Sequence, residues 1–169
     1  MNEYQKNFFI KQLDNATQSL KSIANELFRK TRPNVQLYNF AKSKLGKDIA
    51  PTQDELGCAE AINTLIREFT GEPIGGGTST YLLYRNLKTD KRFIQTTNPQ
   101  LGDIIISPSG YGNGKIRNGH IGVISNEDKV MSNNSNNGLW DEHITFELWK
   151  RKYQRVGGFP IYYYRLITK

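Results

Sequence analysis

A chain of 169 residues, 37% hydrophobic and 23% charged, has room for one hydrophobic core and not for two comfortable domains. No apolar run approaches the ~20 residues that span a bilayer, and a single cysteine excludes an internal disulfide. The net charge of +7 is unevenly spread, with +5 in residues 1–50, −4 in residues 51–148 and +6 in residues 149–169. Basic termini favour polyanions without choosing among nucleic acid, anionic lipid and anionic wall polymers. The start, MNEYQKNFFIKQ, has no basic region leading into a long apolar stretch, so no secretory signal is expected. One free cysteine suits synthesis in a reducing cytoplasm.

Phe9, Leu13, Ala16, Leu20, Ile23, Ala24 and Leu27 recur at steps of three and four, which predicts an amphipathic helix over residues 3–30. "TRPN" at 31–34 ends it, and Asn34 is the expected cap of a second helix reaching Leu45, with Gly46 as its stop. A third helix is predicted from Cys58 to Phe69, ending at "TGEP". The run "IGGGTSTYLLYRNL" reads as a glycine-rich loop followed by a Ser/Thr-capped fourth helix. From residue 93 the pattern changes to short β-branched or aromatic segments, "RFIQTT", "GDIIISP", "GHIGVIS", "KVMSNN" and "FPIYYYRL". These predict about five strands, with one late helix near "ITFELWKRKY". Helices first and strands afterwards indicate an α+β domain with an antiparallel sheet. Residues 1–46 form an N-terminal helical region, packed on or preceding a domain at 47–169.

Cys58 shares its helical stripe with Ile62, Leu65, Ile66 and Phe69, so one reading makes it a small buried hydrophobe. Its place at a helix start, after Gly57, supports another. Free N–H groups and the positive end of the dipole lower a thiol pKa and favour the nucleophilic thiolate. A nucleophile needs a base, and the chain has two histidines. His120 lies in "NGHIGVIS", where alternation puts it on one face with Gly122 and Ile124, and Gly122 is expected to leave space beside the imidazole. His143 lies in "WDEHITF", read as a polar loop with a solvated histidine. Cys58 with His120 is therefore the expected pair. The strand after His120 supplies Asn133 as first choice for the group that orients the imidazole. Ser132 is the alternative, because a one-residue slip exchanges the two.

Cysteine at a helix head in "ELGCAE", then "LGDIIISP", "GHIGVI" and the polar "SNNSNNG", resembles the papain-like cell-wall hydrolases of the NlpC and CHAP groups, small phage-encoded members above all. The resemblance covers roughly residues 50–135. It implies a papain-like fold with the sheet packed against the cysteine helix, and cleavage of peptidoglycan amide bonds through an acyl-enzyme on Cys58. Gly57 and Ala59 stand where many NlpC-type enzymes have Asp and Ser, and the third position is not acidic, so the subfamily stays open. The resemblance implies a bacteriolytic thiol hydrolase of endolysin type, an endopeptidase or amidase, with neither cofactor nor metal. It would be made in the cytoplasm and reach the wall by holin release, virion delivery or dedicated secretion.

Glu55 and Glu60, beside the nucleophile, are candidate contacts for an amino group of the peptide stem, and Tyr111 is a candidate cleft wall. The glycines at 75–77 and the "SPSGYGNGKIRNG" loop are expected to frame the cleft. The basic termini suit anionic wall polymers. The alternatives are an injected antibacterial amidase with an immunity protein, a protein-directed thiol peptidase, and a nucleic-acid-binding module, the last disfavoured by the acidic middle of the chain.

Overall fold

The computed structural model describes residues 3–52, 57–126 and 128–168. The chain divides into two compact units, Met1–Arg32 and Pro33–Lys169. The first is a single helix, α1 (Glu3–Thr31), along which the large side chains of Phe9, Leu13, Leu20, Ile23 and Leu27 are exposed. Pro33 opens α2 (Pro33–Lys42), where its missing N–H costs nothing because first-turn donors have no intrahelical partner. The second helix thus starts one residue before the expected cap. Asn34 is instead buried, and its side-chain amide donates to the Leu101 carbonyl at 2.8 Å.

The remaining elements of the second unit are α3 (Cys58–Thr70), α4 (Thr80–Leu87), β1 (Phe93–Thr96), β2 (Ile104–Ser107), β3 (His120–Ile124), β4 (Lys129–Asn133), β5 (Trp140–Thr145), α5 (Phe146–Trp149) and β6 (Tyr162–Leu166). A π-helical segment, Lys150–Val156, continues α5 without a break. The strands form one antiparallel sheet in the order β1-β6-β2-β3-β4-β5. The molecule is therefore α+β with six strands among the described residues. The additional strand is β5, which carries His143. Its sequence, WDEHIT, hides the strand because a register shift against β4 between Val130 and Ser132 interrupts the period-two alternation.

Alternation along the strands builds two apolar layers. Ile104, Ile106, Ile121, Val123 and Met131 face the layer that includes Leu37 and Ala41 of α2, Ile62 and Leu65 of α3 and Leu83 of α4. Ile105, Ile124, Val130 and Ile144 face the opposite layer, with Trp149, Tyr153 and Phe159. The "GD" before β2 is a structural joint between α2 and the sheet. Gly102 has φ 81°, and a Cβ there would stand 1.7 Å from the Asn34 carbonyl oxygen, a contact only glycine avoids. Asp103, fully buried, accepts from Arg165 Nη2 at 2.7 Å and Nε at 3.0 Å, and from the Gln100 backbone N–H at 2.8 Å. A buried carboxylate persists when charge and hydrogen bonds are both supplied, and Arg165 supplies both.

Candidate active site

Cys58 is the first residue of α3, and Gly57 is its cap without a side-chain hydrogen bond. The thiol is half-buried at the edge of the first apolar layer. Three backbone N–H groups act on its sulfur, those of Ile121, Ala59 and Cys58 itself. Two are the unsatisfied donors of a helix start, and the third belongs to the residue after His120. These donors favour a thiolate, yet removal from water outweighs them, and the thiol pKa is pushed up to about 11. The helix start therefore does not lower the resting thiol pKa below its ordinary value, contrary to the expectation from position alone.

His120, the first residue of β3, lies on the sheet face opposite Ile121 and is buried. Its ring stacks on Tyr153, with centroids 5.4 Å apart and planes 11° from parallel, and lies 5.1 Å from the Trp149 ring. Trp149 is itself held by a hydrogen bond from its Nε1 to Ser107 Oγ at 3.0 Å. Burial, followed by the neighbouring His143 and Lys152, pulls the imidazole pKa down to about 3. Of the two candidates for the third position, Ser132 meets the ring, with its Oγ 3.0 Å from Nε2. Asn133 is buried, pairs in register with Trp140 and lines the cleft. The space beside Gly122 is not open: a Cβ there would lie 2.6 Å from both Val130 Cγ1 and the Met131 carbonyl oxygen. This tight fit brings β4, and Ser132 with it, close to His120.

Cys58, His120 and Asn133 line one cleft of about 530 Å³, within the range of small-ligand sites. Tyr153 and Lys152, from the π-helical segment, form part of its wall. Such irregular turns recur at functional sites because they re-aim side chains. Another stretch of wall is tied together by hydroxyls. Thr80 Oγ1 and Ser109 Oγ are 2.9 Å apart, and the Gly119 N–H donates to Ser109 Oγ at 2.8 Å. The loop before His120 thus frames the cleft through Ser109 and Ile116–Gly119, while the glycine run contributes through Thr78, which follows it.

His143 is not a solvated loop residue. It is half-buried in β5, lines the same cleft, and its buried Nδ1 has no hydrogen-bond partner among the described residues. Burial lowers its pKa. Glu60 accepts from Thr52 Oγ1 at 2.5 Å and lines a separate cavity of about 240 Å³, which shares Thr78 with the cleft. Glu55 lies outside the described residues. Tyr111 is exposed and is not among the residues lining the cleft; its ring lies 5.9 Å from Tyr81 and 5.6 Å from Tyr84.

Tyr153, Lys152, Arg117 and His143 were not picked out as site residues by sequence reasoning. Arg117 lies in the "SPSGYGNGKIRNG" loop expected to frame the cleft, and for Lys152 and Tyr153 the one signal was the aromatic and basic density of "ELWKRKYQR" beside a candidate helix. No family model matches this chain, and no curated protein matches it.

Proposed function

We propose that the protein is a papain-like cysteine amide hydrolase of the NlpC/CHAP type, acting on bacterial peptidoglycan. The observation that carries this reading is the convergence of Cys58, at the start of a helix, and His120, at the start of a strand, on one cleft, with Ser132 holding the far nitrogen of the imidazole. With Nε2–H donated to Ser132 Oγ, the ring's lone pair resides on Nδ1, the atom needed to take a thiol proton.

The resting pair is neutral, so deprotonation accompanies attack. Cys58 Sγ forms a bond to the amide carbon while its proton passes to His120. The N–H groups beside the sulfur favour negative charge developing there, including that of the carbonyl oxygen. Collapse of the tetrahedral species breaks the C–N bond, and His120 returns the proton to the departing amine. Water, deprotonated by His120, then cleaves the thioester to a carboxylic acid and the free thiol.

The test is digestion of purified peptidoglycan, followed by mass spectrometry of the fragments. New termini within the stem peptide mark an endopeptidase, and release at the sugar–peptide amide marks an amidase. Cys58→Ala and His120→Ala are expected to abolish fragment release. Unchanged release by Cys58→Ala, or no new termini with the native protein, ends the reading.

A further inference from the structure

We propose that the cleft selects amide substrates bearing a free carboxylate near the scissile bond, bound by Arg117 and Lys152. The proposal rests on reading the cleft as an acyl-transfer site and names the chemistry of what it accepts. Among the described residues that line it, Arg117 and Lys152 are the only fully charged side chains. The expectation of an amino group met by Glu55 and Glu60 is a different one: Glu60 lines the separate smaller cavity, and Glu55 lies outside the described residues.

The chain treats these two cations unlike its structural ones. Arg92 is paired with Asp90, Arg165 with Asp103, Lys44 with Glu68 and Arg155 with Glu147. Arg117 and Lys152 make no ion pair among the described residues, so their charge is available to a ligand. Lys152 is also fixed in relation to the catalytic ring. Its Nζ sits 5.2 Å from the centroid of Tyr153, and Tyr153 stacks on His120. Arg117 is three residues ahead of His120, on the loop that frames the cleft.

Burial is the first cause of the low basicity of His120 and His143, and the field of Lys152, one ring away from His120, adds to it by opposing protonation. A bound carboxylate removes that opposition. It neutralises the ammonium and makes the imidazole a better proton acceptor when the correct substrate is present. Charge recognition and activation of the base are then one event. An arginine suits the planar carboxylate through paired N–H donors, and the lysine supplies a point charge.

The experiment uses two stem tetrapeptides identical except at the D-glutamate α-position, one carrying the carboxylate and the other the carboxamide. Calorimetric titration of the full-length Cys58→Ala protein measures binding without turnover, and native protein measures cleavage. The carboxylate peptide is expected to bind about tenfold tighter, a difference of about 1.4 kcal/mol. In the background of Arg117→Gln with Lys152→Met the preference is expected to fall below twofold, and Arg117→Lys with Lys152→Arg is expected to restore it. Equal binding of the two peptides, or a preference that survives Arg117→Gln with Lys152→Met, overturns the proposal. Cleavage of both peptides at equal efficiency overturns it while leaving the hydrolase reading intact. Selective binding of the carboxylate peptide without cleavage by the native protein supports it and counts against the hydrolase reading.

Discussion

His120 Nε2 and Ser132 Oγ lie 3.0 Å apart across neighbouring antiparallel strands, a contact that engages Nε2 and leaves Nδ1 outside it. It exists because Gly122 lets β4 approach closely, so that Ser132 reaches the ring diagonally. Ser132→Ala is expected to lower kcat about tenfold with little change in KM, since the ring loses its tautomer control in a dry site. Asn133→Ala, at a cleft-lining position outside that contact, is expected to act mainly on KM. Steady-state kinetics on a soluble muropeptide checks both, and a larger kcat loss in Asn133→Ala would reverse their roles.

Cys58 alkylation reports the resting state of the proposed nucleophile. Burial pushes the thiol pKa up to about 11, so the thiol is neutral at pH 7 and becomes a thiolate only as pH rises toward that value. Iodoacetamide labelling at pH 7 is therefore expected to be slower than for an unfolded cysteine peptide, climbing steeply above pH 9. A labelling midpoint below pH 8 would reveal a preformed thiolate and contradict the neutral pair.

Acid stability follows from His120. The unfolded imidazole has a pKa of about 6.5, and the buried one is pulled down to about 3. Above pH 6.5 both states are neutral and this residue's contribution is fully present. As pH falls from 6.5 toward 3, the unfolded state binds a proton that the folded state resists, so stability declines. His143, also lowered, acts in the same direction. Urea unfolding at pH 7, 5 and 4 is expected to show this decline, with a shallower slope for His120→Gln. An unchanged slope in His120→Gln would rule out His120 as its source.

Asp103 and Arg165 join the strand bearing "GD" to the last strand, with Asp103 Oδ2 2.7 Å from Arg165 Nη2. Arg165→Met leaves a buried carboxylate short of its cation and is expected to cost on the order of 3 kcal/mol. Activity per folded molecule should stay within twofold, because neither residue lines the cleft. Chemical denaturation measures the cost, and a loss under about 1 kcal/mol would show that the Gln100 N–H and the Asn34 amide, 3.4 Å from Asp103 Oδ1, suffice to hold the carboxylate.

His143→Ala is expected to raise KM several-fold while leaving kcat within about threefold, because the ring belongs to the cleft wall without the Ser132 contact that orients His120. Activity lost as completely as in His120→Ala would make His143 the base.

Local patterns made much of the second unit legible. Three-and-four spacing marked α3 with Cys58 at its head, β-branched runs marked β2 and β3, and alternation placed His120 opposite Ile121. These features depend on residues a few positions apart, so they are written into short windows of sequence. The choice between Ser132 and Asn133 was different in kind. It depended on the pairing register of two strands, which a turn and one close-packed glycine decide.

The same holds for β5. A register shift removed its alternation, so a polar hexapeptide concealed a strand and placed His143 in the cleft. The thiol's pKa could not be read from its helix position, because desolvation by packed neighbours competes with the dipole and wins. Nor could the two cations among the described residues of the cleft wall be read from the sequence around Cys58. Arg117 and Lys152 lie 35 positions apart in the chain, and only the closing of the sheet and the π-helical turn bring both to the cleft that holds Cys58. The sequence by itself determined the α+β class, the helix that presents Cys58 and the strand that presents His120. Tertiary structure alone decided the ring's partner, the protonation of the resting pair and the charge that surrounds it, because each is set by groups distant in the chain acting across a water-poor space.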